Sequence, residues 1–67
     1  MIYYLFNKEI KATFFEYNDA KLFIDTINKL LGQTVSTYRI ANNLVYIKAS
    51  GNEYVICSDE WIKEFGK

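Results

Sequence analysis

Apolar and polar positions follow a strand-like period near both ends of the chain and a helical period between them. Ile2 to Phe6 and Ile10 to Tyr17 are rich in aromatic and branched residues and flank Asn7-Lys8-Glu9, which predicts a hairpin. A three-residue loop pairs Phe6 with Ile10, Tyr4 with Ala12 and Ile2 with Phe14, gathering apolar side chains on one face. A two-residue loop sets Phe6 against Glu9, so the three-residue loop is the expected one. The opposite face of this hairpin then carries Tyr3, Leu5, Lys11, Thr13, Phe15 and Tyr17.

Asn18 is a suitable N-cap for a helix that begins at Asp19 and stops at Gly32. Between them Ala20, Phe23, Ile24, Ile27, Leu30 and Leu31 recur at spacings of three and four, with Lys21, Asp25, Asn28 and Lys29 on the other side. Leu22 lies off this stripe. After Gly32 the period returns to alternation, from Gln33 to Ser58, with Asn42-Asn43 and Gly51-Asn52 as two-residue turns. Those turns set Ile40 against Val45, Tyr38 against Ile47, Ala49 against Tyr54 and Ile47 against Ile56 on the core side. The second side presents Val35, Thr37, Arg39, Tyr46, Lys48, Val55 and Cys57, with Arg39 opposite Tyr46. Ser58 caps a short last helix with Asp59 and Glu60 in its first turn, an apolar side of Trp61, Ile62 and Phe65, and Gly66 at its end. This helix lies either beside the first one or across the second sheet face.

The expected fold is α+β: an antiparallel sheet of about five strands in the order strand, strand, helix, strand, strand, strand, helix. One long helix packs on one face. All 67 residues form a single domain without repeats or linkers, near the lower size limit for a core without disulfides or metal. A hydrophobic content of 51% excludes disorder. Eight basic and eight acidic residues cancel, which disfavours a strong non-specific grip on nucleic acid or an anionic membrane. The first apolar run ends at Asn7, too short for a signal peptide or a membrane span. A single cysteine, Cys57, admits no intrachain disulfide and no multi-Cys metal site, pointing to a reducing, cytoplasmic setting. Abundant Ile, Lys, Asn, Tyr and Phe without Pro suggest a low-GC bacterium or its phage.

Candidate chemistry is sparse. The absence of histidine removes the usual general base and the commonest transition-metal ligand. Cys57 precedes a helix N-terminus, which can lower a thiol pKa, but it has no histidine to activate it, and its strand position suits a small apolar residue. Asp59, Glu60 and Glu64 are close in sequence, as an acid–base pair requires, yet they also suit a helix start and a solvated helix face. The three glycines are scattered and form no phosphate loop. No cofactor is expected.

The remaining signal is the second sheet face, where Tyr3, Phe15, Tyr17 and Tyr46 interleave with Lys11, Arg39 and Lys48. That mixture serves a protein contact, base stacking with phosphate binding, self-association, or packing under the last helix. The stretch Gly51-Asn52-Glu53-Tyr54-Val55-Ile56, followed by Ser58 and an acidic helix start, resembles part of a small phage-encoded anti-CRISPR protein that inhibits type II Cas9. The resemblance implies a phage protein that binds the nuclease and blocks its DNA through an acidic surface. Here the only acidic concentration is Asp59, Glu60 and Glu64, and bases balance the acids. The expectation is a non-enzymatic binding protein that inhibits or modulates a host protein, contacting it through Tyr3, Lys11, Phe15, Tyr17, Arg39, Tyr46, Lys48, Asp59, Glu60 and Glu64. A single-strand nucleic-acid binder using the aromatic and basic face is the alternative.

Overall fold

A computed structural model describes residues 1–32, 35–41 and 44–66, with the backbone alone from 35 to 41. The elements are β1 (Ile2–Phe6), β2 (Glu9–Phe14), α1 (Tyr17–Leu31), β3 (Val35–Ala41), β4 (Leu44–Ala49), β5 (Asn52–Ser58) and α2 (Asp59–Phe65). The fold is α+β, with an antiparallel sheet and two helices. The strands lie in the order β2-β1-β5-β4-β3, so the first strand is paired on both sides and β2 is an edge.

The first hairpin corrects the three-residue loop. Asn7 and Lys8 alone form the turn, both with positive φ (51° and 70°), and Phe6 pairs with Glu9. Positive φ at both central residues gives the twist that tight hairpins favour. Farther from the turn Tyr4 still pairs with Ala12 and Ile2 with Phe14, because an irregularity between Tyr4 and Leu5 admits one extra residue, Lys11, on β2. The bulge thus combines a two-residue turn with the apolar pairing that seemed to need three. Asn7 also fastens the turn to β5: its N–H donates to the Glu53 carbonyl (3.0 Å), and its side-chain carbonyl accepts from the Glu53 N–H (2.9 Å).

Helix α1 begins two residues earlier than the Asn18 cap places it. Its N-cap is Glu16, without a side-chain capping hydrogen bond, and Tyr17 is helical instead of ending a strand. Tyr17, Ala20, Ile24, Ile27 and Leu31 form the inward stripe, spaced 3, 4, 3 and 4 along the helix. Leu30, expected on that stripe, is 84% exposed. Six residues beyond Ile24 it lies about 120° around the helix, off the buried face. Gly32 ends α1 at φ 61° and ψ −126°, a conformation open to glycine.

In the second half of the sheet Ile40 pairs with Val45, Tyr38 with Ile47 and Arg39 with Tyr46, as expected. The Asn42-Asn43 turn and Gln33 lie outside the described residues. Between β4 and β5 the turn is Ser50-Gly51, both at positive φ, in place of Gly51-Asn52. Ile47 consequently faces Tyr54 and Ala49 faces Asn52. A slip of two residues leaves every side chain on its expected face, since strand faces repeat every second residue.

Two cores result, one on each side of the sheet. Ala20 and Ile24 of α1 pack on Ile2, Tyr4, Val45, Ile47, Ala49 and Ile56 of the sheet. On the other side Leu5, Leu44, Val55 and Cys57 are buried, with Tyr3, Tyr46, Trp61, Ile62 and Phe65 packed against them. The last three belong to α2, so the short helix crosses the second sheet face instead of lying beside α1. Consecutive burial at Tyr4-Leu5, Leu44-Val45 and Val55-Ile56-Cys57 is the mark of strands covered on both sides. Among the described residues no helix is long and apolar enough to cross a membrane.

Candidate functional site

The ten residues assigned to a partner surface scatter once they are folded. Tyr3 and Tyr46 point to the second face and are half-buried beneath α2. The Tyr3 hydroxyl donates to Asp59 Oδ1 (2.6 Å) and the Tyr46 hydroxyl to Glu53 Oε2 (2.8 Å). Each bond to a carboxylate favours the neutral phenol and holds the tyrosine above its ordinary pKa, with desolvation adding to the effect. The Tyr46 ring packs on Phe65 at 5.7 Å, and Phe65 in turn on Trp61 at 6.2 Å. These tyrosines work as struts between sheet and helix.

Asp59 opens α2 and accepts from Tyr3 and, at 3.5 Å, from the terminal amine of Met1. The Tyr3 hydrogen bond lowers its pKa most, against a smaller desolvation effect. Glu60 accepts from the Ser58 hydroxyl at 3.3 Å, and Glu64 is exposed on the outer side of the helix. Asp59, Glu60 and Glu64 therefore spread over the outer side of α2, from the sheet-facing Asp59 to the exposed Glu64. Lys11, at the bulge, reaches Glu9 at 3.4 Å on the sheet edge. Lys48 is exposed and paired with Glu53 across β4 and β5. Arg39 is opposite Tyr46 in register, and its side chain lies outside the described residues.

Phe15 and Tyr17 are not on the second face. Tyr17 is half-buried in the core under α1. Phe15 sits in the bend between β2 and α1 and is 90% exposed. Ile10 is 48% exposed on the neighbouring edge strand, opposite Leu5, at a part of the face that α2 leaves uncovered. Sequence reasoning missed Ile10 because it was assigned to the α1 side; the bulge at Lys11 moves it across. It also missed Glu53 and Asn7, whose side chains tie turn, strand and tyrosine together.

Cys57 is fully buried, more than a strand position alone implied, and its thiol is pushed up to about 11, by burial first and by the nearby Asp59 charge second. A thiol so placed is a poor nucleophile at neutral pH. Among the described residues no three His, Cys, Asp or Glu side chains gather as a metal site would require. A shallow depression of about 330 Å³ runs along α1, lined by Asn18, Lys21, Leu22 and Asp25, with Lys21 and Asp25 neutralising each other at 3.8 Å. That lining offers shape without a reactive group. No family model, no curated protein and no solved structure matches this chain.

Proposed function

We propose that the chain is a non-enzymatic binding module that attaches to another protein and inhibits or modulates it. The observation that carries this reading is Phe15, an aromatic side chain 90% exposed in a domain small enough to need its apolar residues inside. Beside it in the chain β2 is a sheet edge with Ile10 turned outward. The Glu9–Lys11 pair and the Lys11 bulge blunt that edge against strand addition, so the contact works through anchoring side chains. The attachment surface is thus the bend and edge around Phe15, with Lys11 as a charged flank. Tyr3 and Tyr46, tied to carboxylates under α2, give no open platform for stacked bases, which weighs against the nucleic-acid reading.

The resemblance of residues 51–56 to anti-CRISPR proteins makes a guide-loaded type II CRISPR nuclease the first target to test. The experiment measures binding of the purified chain to that nuclease, and to proteins drawn from a bacterial lysate, alongside Phe15→Ala and Ile10→Ser. A specific partner that Phe15→Ala binds at least about tenfold more weakly supports the proposal, a loss typical of an interface anchor. Reproducible recovery of no partner overturns it, and a partner bound equally by Phe15→Ala moves the site elsewhere.

A further inference from the structure

The outward face of α1 takes no part in either core, and its residues are arranged to meet their own copy. Around Ile24, which points straight into the core, Leu22 and Thr26 flank the opposite pole of the helix at about 160° on either side. Asp19 and Lys29 come next, at about 140° on either side. Leu22 is 68% exposed, and Asp19, Thr26 and Lys29 are exposed too. Neither Asp19 nor Lys29 has an ion-pair partner among the described residues, whereas Lys21 and Asp25 on the flank satisfy each other. The Thr26 hydroxyl donates back to the Leu22 carbonyl at 2.9 Å, which occupies its polar group within the helix and leaves its methyl for contact.

These facts define a register. Asp19, Leu22, Thr26 and Lys29 are spaced 3, 4 and 3, the seam of a helix pair. Laying two such helices antiparallel about Ile24 sets Leu22 over Thr26 of the second copy and Asp19 over its Lys29, each contact occurring twice by symmetry. A parallel arrangement would instead set Asp19 against Asp19 and Lys29 against Lys29. The depression lined by Asn18, Lys21, Leu22 and Asp25 runs along one flank of this seam, with Leu22 shared between the two. Leu30, exposed, falls on one flank of the seam in both copies and makes the rim of the contact apolar on that side, whereas Phe23 on the same flank packs its ring on Tyr4 and Phe14.

We propose that α1 forms an antiparallel, two-fold contact with a second copy of this chain through Leu22 and Thr26, with Asp19 and Lys29 pairing across the interface. This goes beyond the binding reading above and uses a different surface. A seam about 15 Å long is small, so the dimer is weak and half-formed at roughly 100 µM.

Sedimentation equilibrium of the full chain from about 20 µM to 1 mM reads the association directly, a span chosen for the weak end of specific contacts. The wild type is expected to show a monomer–dimer equilibrium, and Leu22→Asp to remain monomeric throughout. Asp19→Lys and Lys29→Asp each place like charges opposite one another and should weaken the dimer about three- to tenfold, while the double reversal restores it to near the wild-type value. These positions are exposed, and circular dichroism on each variant verifies that the fold is intact. Phe15→Ala should dimerise like the wild type, which separates this contact from the partner surface. A wild type that stays monomeric at 1 mM overturns the proposal, as does a double reversal no tighter than the single ones, the pair interaction being the premise.

Discussion

Two phenylalanines of this chain should respond to truncation in opposite ways. Phe65, on α2, is half-buried against the second core and in ring contact with Tyr46 and Trp61. A fully buried Phe→Ala change costs about 3–5 kcal/mol, so a half-buried ring forfeits roughly 2. The lost aromatic contacts add about 0.5–1 kcal/mol, giving about 2–3 in all. A domain of this size holds only about 3–5 kcal/mol in total, so Phe65→Ala should remove about half the stability or more. Each 1 kcal/mol shifts the thermal midpoint of such a domain by about 4–8 °C, and the variant should therefore melt at least about 8 °C lower. Phe15→Ala, by contrast, removes a ring that buries almost nothing and should stay within about 0.5 kcal/mol of the wild type. Urea titration followed by Trp61 fluorescence, with thermal melts by circular dichroism, measures both. If the two variants lose equal stability within about 0.5 kcal/mol, α2 is not docked as described.

Further outcomes concern the turns and the titrating groups. Lys8→Gly relieves a positive φ in the first turn without touching a core and should raise stability by about 0.5–1 kcal/mol in the same titration; no gain would discount strain there. Cys57, raised to about 11 in the folded chain, contributes stability that is complete below the ordinary thiol pKa and lost as pH climbs toward 11, about 2–3 kcal/mol over that interval. Tyr3, Tyr4 and Tyr46 are shifted the same way and deepen the alkaline loss, so Cys57→Ala should flatten the alkaline limb without abolishing it. At the other end Asp59 is lowered, its contribution present above the ordinary carboxylate range and lost as pH falls through its folded value; Asp59→Asn should flatten the acid limb of the pH–stability curve.

The parts legible in the sequence were those governed by local rules. The faces of β4 and β5 follow from period-two patterning, and a turn misplaced by one residue cost a two-residue slip that leaves faces unchanged. In the first hairpin the apolar pairing of Ile2 and Tyr4 was readable, while the turn was not, because the bulge at Lys11 conceals its length. Tyr17 looked like a strand residue by its type; its place three residues before Ala20 and seven before Ile24 is what assigns it to the helix. The docking of α2 is a tertiary choice, yet the unbroken apolar run Val55-Ile56-Cys57 already marks a strand buried on both sides. Phe15 could be picked out by residue type, but its exposure depends on where β2 ends and α1 begins.

For the proposed binding role, α2 sealing the second sheet face is decisive: that cover removes Tyr3 and Tyr46 from the open surface and leaves Phe15 as the exposed aromatic. Cys57, beneath the helix, reports on the seal. Labelling of the native full chain by an aromatic disulfide reagent at pH 8, compared with the same chain in concentrated urea, is the most direct measurement. The structure predicts labelling slowed by at least about a hundredfold in the native chain, through burial and suppressed thiolate together, with Phe65→Ala restoring much of the rate. Native labelling as fast as that of the unfolded chain would contradict the covered face and return the tyrosines to the candidate binding surface.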